Sequence, residues 1–118
     1  MPLRIAVLIS GTGSLLQALL DARAAGELNA DVVVVGSDNA SAQGLQRAEQ
    51  SGVPSFVHPF SKGADRAAWD EQLTSLVAAH EVDLVVLAGF MKLVGPAFLA
   101  RFGGRTINTH PALLPSFP

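Results

Sequence analysis

A chain of 118 residues is long enough to bury a real core within one domain, and nothing in it suggests a second. Hydrophobic residues make up 49% and charged residues 15%, a balance that points to strands buried on both faces and helices on both sides of a sheet. A formal net charge of −2, one Trp and no Tyr leave no basic footprint or stacking platform for nucleic acid, and the absence of Cys excludes a disulfide framework, a thiolate zinc site and a Cys nucleophile.

Residues 3–9 are a β-branched run that stops at glycines and read as a buried first strand. From Ser14 the apolar positions Leu15, Leu16, Leu19 and Leu20 recur at helical spacing until Gly26 supplies a stop, so strand becomes helix across one tight loop. That loop also splits the N-terminal apolar run into halves too short for the core of a signal peptide. Residues 31–36 carry consecutive valines and predict a second, fully buried strand; Ser41 then caps a helix that Gly52 closes. Residues 53–57 form a short third strand. Trp69, Leu73, Leu76 and Val77 make the apolar stripe of a third helix between Asp65 and His80, with Asp65, Asp70 and Glu71 near its favourable N-terminal end. Residues 83–88 are a fourth strand, Pro96 opens a short helix that Gly103 and Gly104 end, and residues 106–108 are a fifth strand. The longest apolar stretch, 84–91, falls far below the roughly 20 residues of a membrane helix. A cytoplasmic protein without a membrane partner is expected.

The repeating βα unit predicts an α/β fold: an open, doubly wound, mostly parallel sheet of Rossmann-like type with strand order 3-2-1-4-5. The topological switch then falls between strands 1 and 4, where such folds bind ligands beyond the carboxyl ends of their strands. Three segments meet there: 10–14, 89–93 and 108–110.

Asn108 and His110 stand two positions apart just past a strand pattern, so both can face one small polar substrate. Asn can donate a hydrogen bond to a carbonyl oxygen gaining charge, and His can trade a proton near neutral pH, a combination suited to acyl-type chemistry without a metal. The plainer reading is a polar turn before Pro111. Gly11, Thr12, Gly13 and Ser14 follow strand 1 and open helix 1, where free backbone N–H groups attract a phosphate monoester or similar anion; a tight turn that needs glycine is the alternative. Leu16 occupies the third glycine position of a dinucleotide fingerprint and no Lys follows as in a P-loop, so Asp38 alone does not make a case for NAD. Gly89, Phe90, Met91, Lys92 and Leu93 either plug the core or wall a flat heterocycle. His80 suits a structural place at the end of helix 3, His58 has no evident partner, and neither has metal-ligand spacing with His110. Trp69 reads as core, Arg66 as a solvent-facing residue or an anion contact, and Arg105 as a solvated residue before the last strand.

Residues 107–115, Ile-Asn-Thr-His-Pro-Ala-Leu-Leu-Pro, together with 9–14, Ile-Ser-Gly-Thr-Gly-Ser, and 88–91, Ala-Gly-Phe-Met, resemble the phosphoribosylglycinamide formyltransferases over the whole chain. The resemblance implies the family's formyltransferase fold and the transfer of a formyl group from 10-formyltetrahydrofolate to the amine of glycinamide ribonucleotide, in purine biosynthesis and with no metal. It implies that Gly11, Thr12, Gly13, Ser14 and Leu15 hold the ribonucleotide phosphate. Arg66, Phe90, Met91, Lys92, Leu93 and Val94 would contact the folate. Asn108 would bind the formyl oxygen as it gains charge, and His110 would stabilise that charge or relay a proton.

Leu15 stands where many members have Asn, and Lys92 replaces the usual Arg, exchanging a bidentate fork for a point charge. The resemblance further implies that residues 1–118 are an N-terminal α/β domain, incomplete at the C-terminus, with a catalytic Asp downstream. Methionyl-tRNA formyltransferases and formyltetrahydrofolate deformylases resemble the chain around Asn108 and His110 but lack the same Gly-Thr-Gly-Ser loop. A non-catalytic nucleotide- or phosphate-binding module is the alternative from another class, and the oligomeric state, monomer or homodimer, stays open.

Overall fold

The structure, a computed structural model, describes residues 2–61, 63–90 and 94–109. Strands and helices alternate: β1 (Leu3–Ile9), α1 (Ser14–Ala24), β2 (Ala30–Ser37), α2 (Gln43–Gln50), β3 (Ser55–Val57), α3 (Arg66–Ala78), β4 (Leu84–Ala88), α4 (Pro96–Phe102), one 3-10 turn (Gly103–Arg105) and β5 (Thr106–Thr109). All strand pairings are parallel and the order is β3-β2-β1-β4-β5, the doubly wound arrangement expected from the alternating pattern. Helices cover both faces because every central strand is apolar on both sides.

Two cores result. Ala6, Leu8, Val34, Val85 and Leu87 pack under α3 and α4 against Trp69, Leu73, Val77, Phe98 and Phe102. Ile5, Val7, Ile9, Val35, Val86 and Ala88 pack on the other face under α1 and α2, against Leu16 and Ala48. The chain crosses from one face to the other between β3 and β4, which opens the crevice between β1 and β4.

Several local expectations differ from the structure. Residues 31–36 are not uniformly buried: the β1–β2 register slips between Ile5 and Ala6, so that Val32 and Val34 pair while Val33 is the extra residue, and Val32 and Val33 are only half-buried. Ser41 does not cap α2; Ala42 takes that place without a side-chain bond, and the Ser41 N–H donates to Asn39 Oδ1 at 3.0 Å. β3 begins at Ser55, after Pro54, which has no N–H for the ladder but whose carbonyl accepts from Val35. Leu76 is 36% exposed, at the margin of the α3 stripe. Just beyond the C-terminal end of α3 the Arg4 guanidinium donates to the carbonyls of His80 (2.7 Å) and Glu81 (3.0 Å), a contact between the start of β1 and the α3–β4 turn that the sequence did not announce. Arg105 is not simply solvated, since it donates to the carbonyls of Val82 (2.9 Å) and Arg101 (3.1 Å) and lies over the Phe102 ring.

Candidate functional site

β1 delivers the chain to the carboxyl edge of the sheet, where Ser10 Oγ donates to Asp38 Oδ1 at 2.8 Å. Asp38 is thereby tied to the first loop. Gly13 then takes φ +74° as the N-cap of α1, a left-handed conformation that glycine adopts without steric cost. Its carbonyl accepts from Gln17 N–H at 2.9 Å, the first bond of the helix.

α2 packs directly on this loop. The Gly44 N–H donates to the Gly11 carbonyl at 3.2 Å, and Arg47 Nε donates to the Thr12 carbonyl at 2.7 Å. A Cβ on Gly13 would lie 2.7 Å from Gly44 Cα, and a Cβ on Gly44 would overlap Ile9 Cδ1. Loop and helix therefore approach to backbone contact, which requires glycine on both sides. Gly44 and Arg47 were not evident as site residues in the sequence; their partners lie roughly thirty residues away.

On the side of the loop away from α2 lies a cavity of about 290 Å³, lined by Gly11, Thr12, Gly13, Ser14 and Leu15 of the loop and by Ala88 and Gly89 at the end of β4. The opening turn of α1 borders it, and no acidic side chain stands in that turn. Free N–H groups and the positive end of the helix dipole suit an anion there.

Asn108 follows on the next strand. It pairs with Leu87, which pairs with Leu8, so these residues share the sheet face that packs under α3 and α4. Ala88, lining the cavity, belongs to the opposite face. A ligand reaching from the loop to Asn108 thus crosses the carboxyl edge of β1 and β4. Asn108 is exposed there.

The segment after β4 starts at Gly89 and carries Phe90 onto the α3 side, where its half-buried ring stacks on Trp69 at 6.3 Å with 15° between planes. The ring of Phe90 thus packs against the core, one residue past Gly89 of the cavity wall. Trp69 also stacks on His58 at 5.1 Å and meets the edge of Phe60 at 5.6 Å. Trp69 Nε1 donates to the His58 carbonyl at 3.2 Å, and His58 Nε2 lies 2.9 Å from the Trp69 carbonyl, so His58 has a reciprocal partner. Val94 packs against the same core. Arg66 is exposed, with its guanidinium 5.5 Å from the Phe60 ring centre. Met91, Lys92, Leu93 and His110 lie outside the described residues.

Asp70, next to Trp69, is 2% exposed. Its Oδ1 accepts from Gly95 N–H at 2.9 Å and its Oδ2 from Ala97 N–H at 2.8 Å, which caps α4 from a neighbouring helix and anchors the end of the 89–95 segment. One signal for it was readable: Asp70 sits three residues before Leu73 and seven before Val77, an acid on the buried stripe.

Comparison with known proteins fits this geometry. The model of the formyl transferase family matches residues 3–118. Phosphoribosylglycinamide formyltransferase of Mycobacterium tuberculosis is 54% identical over 117 residues, covering 99% of this chain and 54% of that protein. The Escherichia coli enzyme of the same name is 42% identical over 116 residues, 98% of this chain and 55% of that protein. The crystal structure of glycinamide ribonucleotide transformylase 1 from Symbiobacterium toebii superposes with a TM-score of 0.89 at 45% identity, covering 99% of this chain and 55% of that one. The chain spans about half the length of the curated relatives it matches. With its parallel 3-2-1-4-5 sheet and glycine loop at the switch point, the chain belongs to the formyl transferase family.

Proposed function

We propose that the protein carrying this chain moves a formyl group from 10-formyltetrahydrofolate to the amine of glycinamide ribonucleotide. The cavity between the 11–15 loop and Ala88–Gly89, one strand from Asn108, is the observation that carries this reading. The loop N–H groups bind the phosphate, which sets the distance of the amine from the sheet edge. The amine nitrogen bonds to the formyl carbon, the bond from that carbon to folate N10 breaks, the amine gives up a proton and N10 receives one. Asn108 donates a hydrogen bond to the formyl oxygen as it gains charge, and His110 stabilises that charge or relays the proton. Phe90, Met91, Lys92, Leu93, Val94 and Arg66 form the folate side. Residues 1–118 are, on this reading, the N-terminal α/β portion of a longer cytoplasmic enzyme whose catalytic acid lies further along. Its partners are small molecules rather than nucleic acid or membrane.

The choice of acceptor tests the proposal. Formyl-folate is supplied with glycinamide ribonucleotide, with initiator tRNA, or with water alone, and tetrahydrofolate release is followed. Turnover that depends on glycinamide ribonucleotide is expected. Release with tRNA or water instead would replace this reading with a different formyl-folate enzyme, and phosphate binding without any release would leave a binding module.

A further inference from the structure

Arg47 belongs to α2 and takes no part in the three segments that form the site, yet its half-buried guanidinium reaches the glycine loop. Nε donates to the Thr12 carbonyl at 2.7 Å and Nη1 to Gln17 Oε1 at 3.2 Å. The side-chain stem runs along the loop, with Cδ 3.4 Å from the position a Cβ on Gly13 would take. Both of these hydrogen bonds end on neutral oxygens of the loop and of α1.

The consequence follows from peptide geometry. In a trans peptide the C=O of one residue and the N–H of the next point in opposite directions. Gly44 and Arg47 draw the carbonyls of Gly11 and Thr12 towards α2, on the β2 side of β1. The N–H groups of Thr12 and Gly13 are therefore turned the other way, towards β4, where the cavity lies against Ala88 and Gly89. A charge-assisted bond to the Thr12 carbonyl also polarises that peptide and makes the Gly13 N–H a stronger donor.

We propose that Arg47 is a positioning residue for the anion site: it holds the glycine loop with its N–H groups facing the cavity and strengthens their grip on a phosphate monoester. The inference rests on the reading of the 11–15 loop as the ribonucleotide phosphate site, and it adds a residue to that site which never touches the ligand.

The test uses the protein expressed from its complete gene, with Arg47→Met, which keeps the apolar stem and removes donors and charge, and Arg47→Lys, which keeps the charge on a single donor nitrogen. KM for glycinamide ribonucleotide, KM for formyl-folate and inhibition by inorganic phosphate are measured, with the urea midpoint as a stability control. Arg47→Met should raise the ribonucleotide KM and the phosphate inhibition constant by about tenfold, the loss of one charge-assisted hydrogen bond, while formyl-folate KM stays unchanged. Arg47→Lys should recover part of that loss. An unchanged ribonucleotide KM, or a rise in both KM values that follows a fall in the urea midpoint, overturns the proposal while leaving the assigned reaction standing. Phosphate binding that depends on Arg47 in a wild-type protein using a different acceptor supports the proposal and removes the assigned acceptor.

Discussion

The buried carboxylate of Asp70 on α3 caps α4, with one oxygen on the N–H of Gly95 and the other on the N–H of Ala97. Gly95 makes this approach possible: a Cβ there would lie 2.6 Å from Asp70 Oδ2. Asp70→Ala strands the two N–H groups at the first turn of α4 and should cost about 3 kcal/mol in a urea melt. Asp70→Asn should fall between, because its amide nitrogen can only oppose one of those donors. A loss below about 0.5 kcal/mol for the alanine variant, the range of ordinary surface substitutions, would remove Asp70 from this role.

Gly13 and Gly44 pack backbone to backbone, so a methyl group at either position has different consequences. At Gly44 the new Cβ overlaps Ile9 Cδ1 and presses on Gly13 Cα at 3.2 Å. Gly44→Ala should destabilise by about 1–3 kcal/mol through overpacking and loosen the loop. Gly13→Ala adds the cost of a left-handed backbone to a 2.7 Å approach to Gly44 Cα, and should weaken phosphate inhibition as well as stability. Titration with inorganic phosphate, followed by the shifts of the loop amides, checks both.

Trp69 joins α3 to the segment that leaves β4, through its stack on Phe90 and its bond to the His58 carbonyl. Trp69→Ala should cost about 3–5 kcal/mol, as for other buried aromatic truncations. Trp69→Phe keeps a ring for Phe90 and loses the indole donor, so a loss of about 1–2 kcal/mol is expected. Equal losses for both variants would show that the hydrogen bond, not the ring, holds this corner.

The sheet order was readable in the sequence because the runs 3–9, 31–36 and 83–88 are apolar enough to read as strands covered on both faces, and the helices between them favour parallel pairing. The convergence of the glycine loop with Gly89 followed from the same winding. What remained hidden depends on distant partners. Nothing near Arg47 announces Thr12, nothing near His58 announces the face of Trp69, and Arg105 reads as a surface cation until Val82 is placed beside it. The Val33 bulge is a property of the β1–β2 pair, and Ser41 stands one residue outside the cap position of α2, which Ala42 takes.

Asn108 stands at the exposed carboxyl end of β5, in register with Leu87. Asn108→Ala should lower turnover by about 10²–10³, the loss seen when one donor to a developing oxyanion is removed, with KM for the ribonucleotide little changed. Its exposure predicts an unaltered urea midpoint. A rise in KM with turnover unchanged would instead place Asn108 in ground-state binding.

The most direct measurement is a structure of the complete protein with glycinamide ribonucleotide bound. The phosphate is expected within hydrogen-bond distance of the 11–15 main-chain N–H groups, with the glycinamide amine extending across the ends of β1 and β4 towards Asn108. A phosphate bound elsewhere, with the cavity beside Ala88 and Gly89 left to solvent, would contradict it.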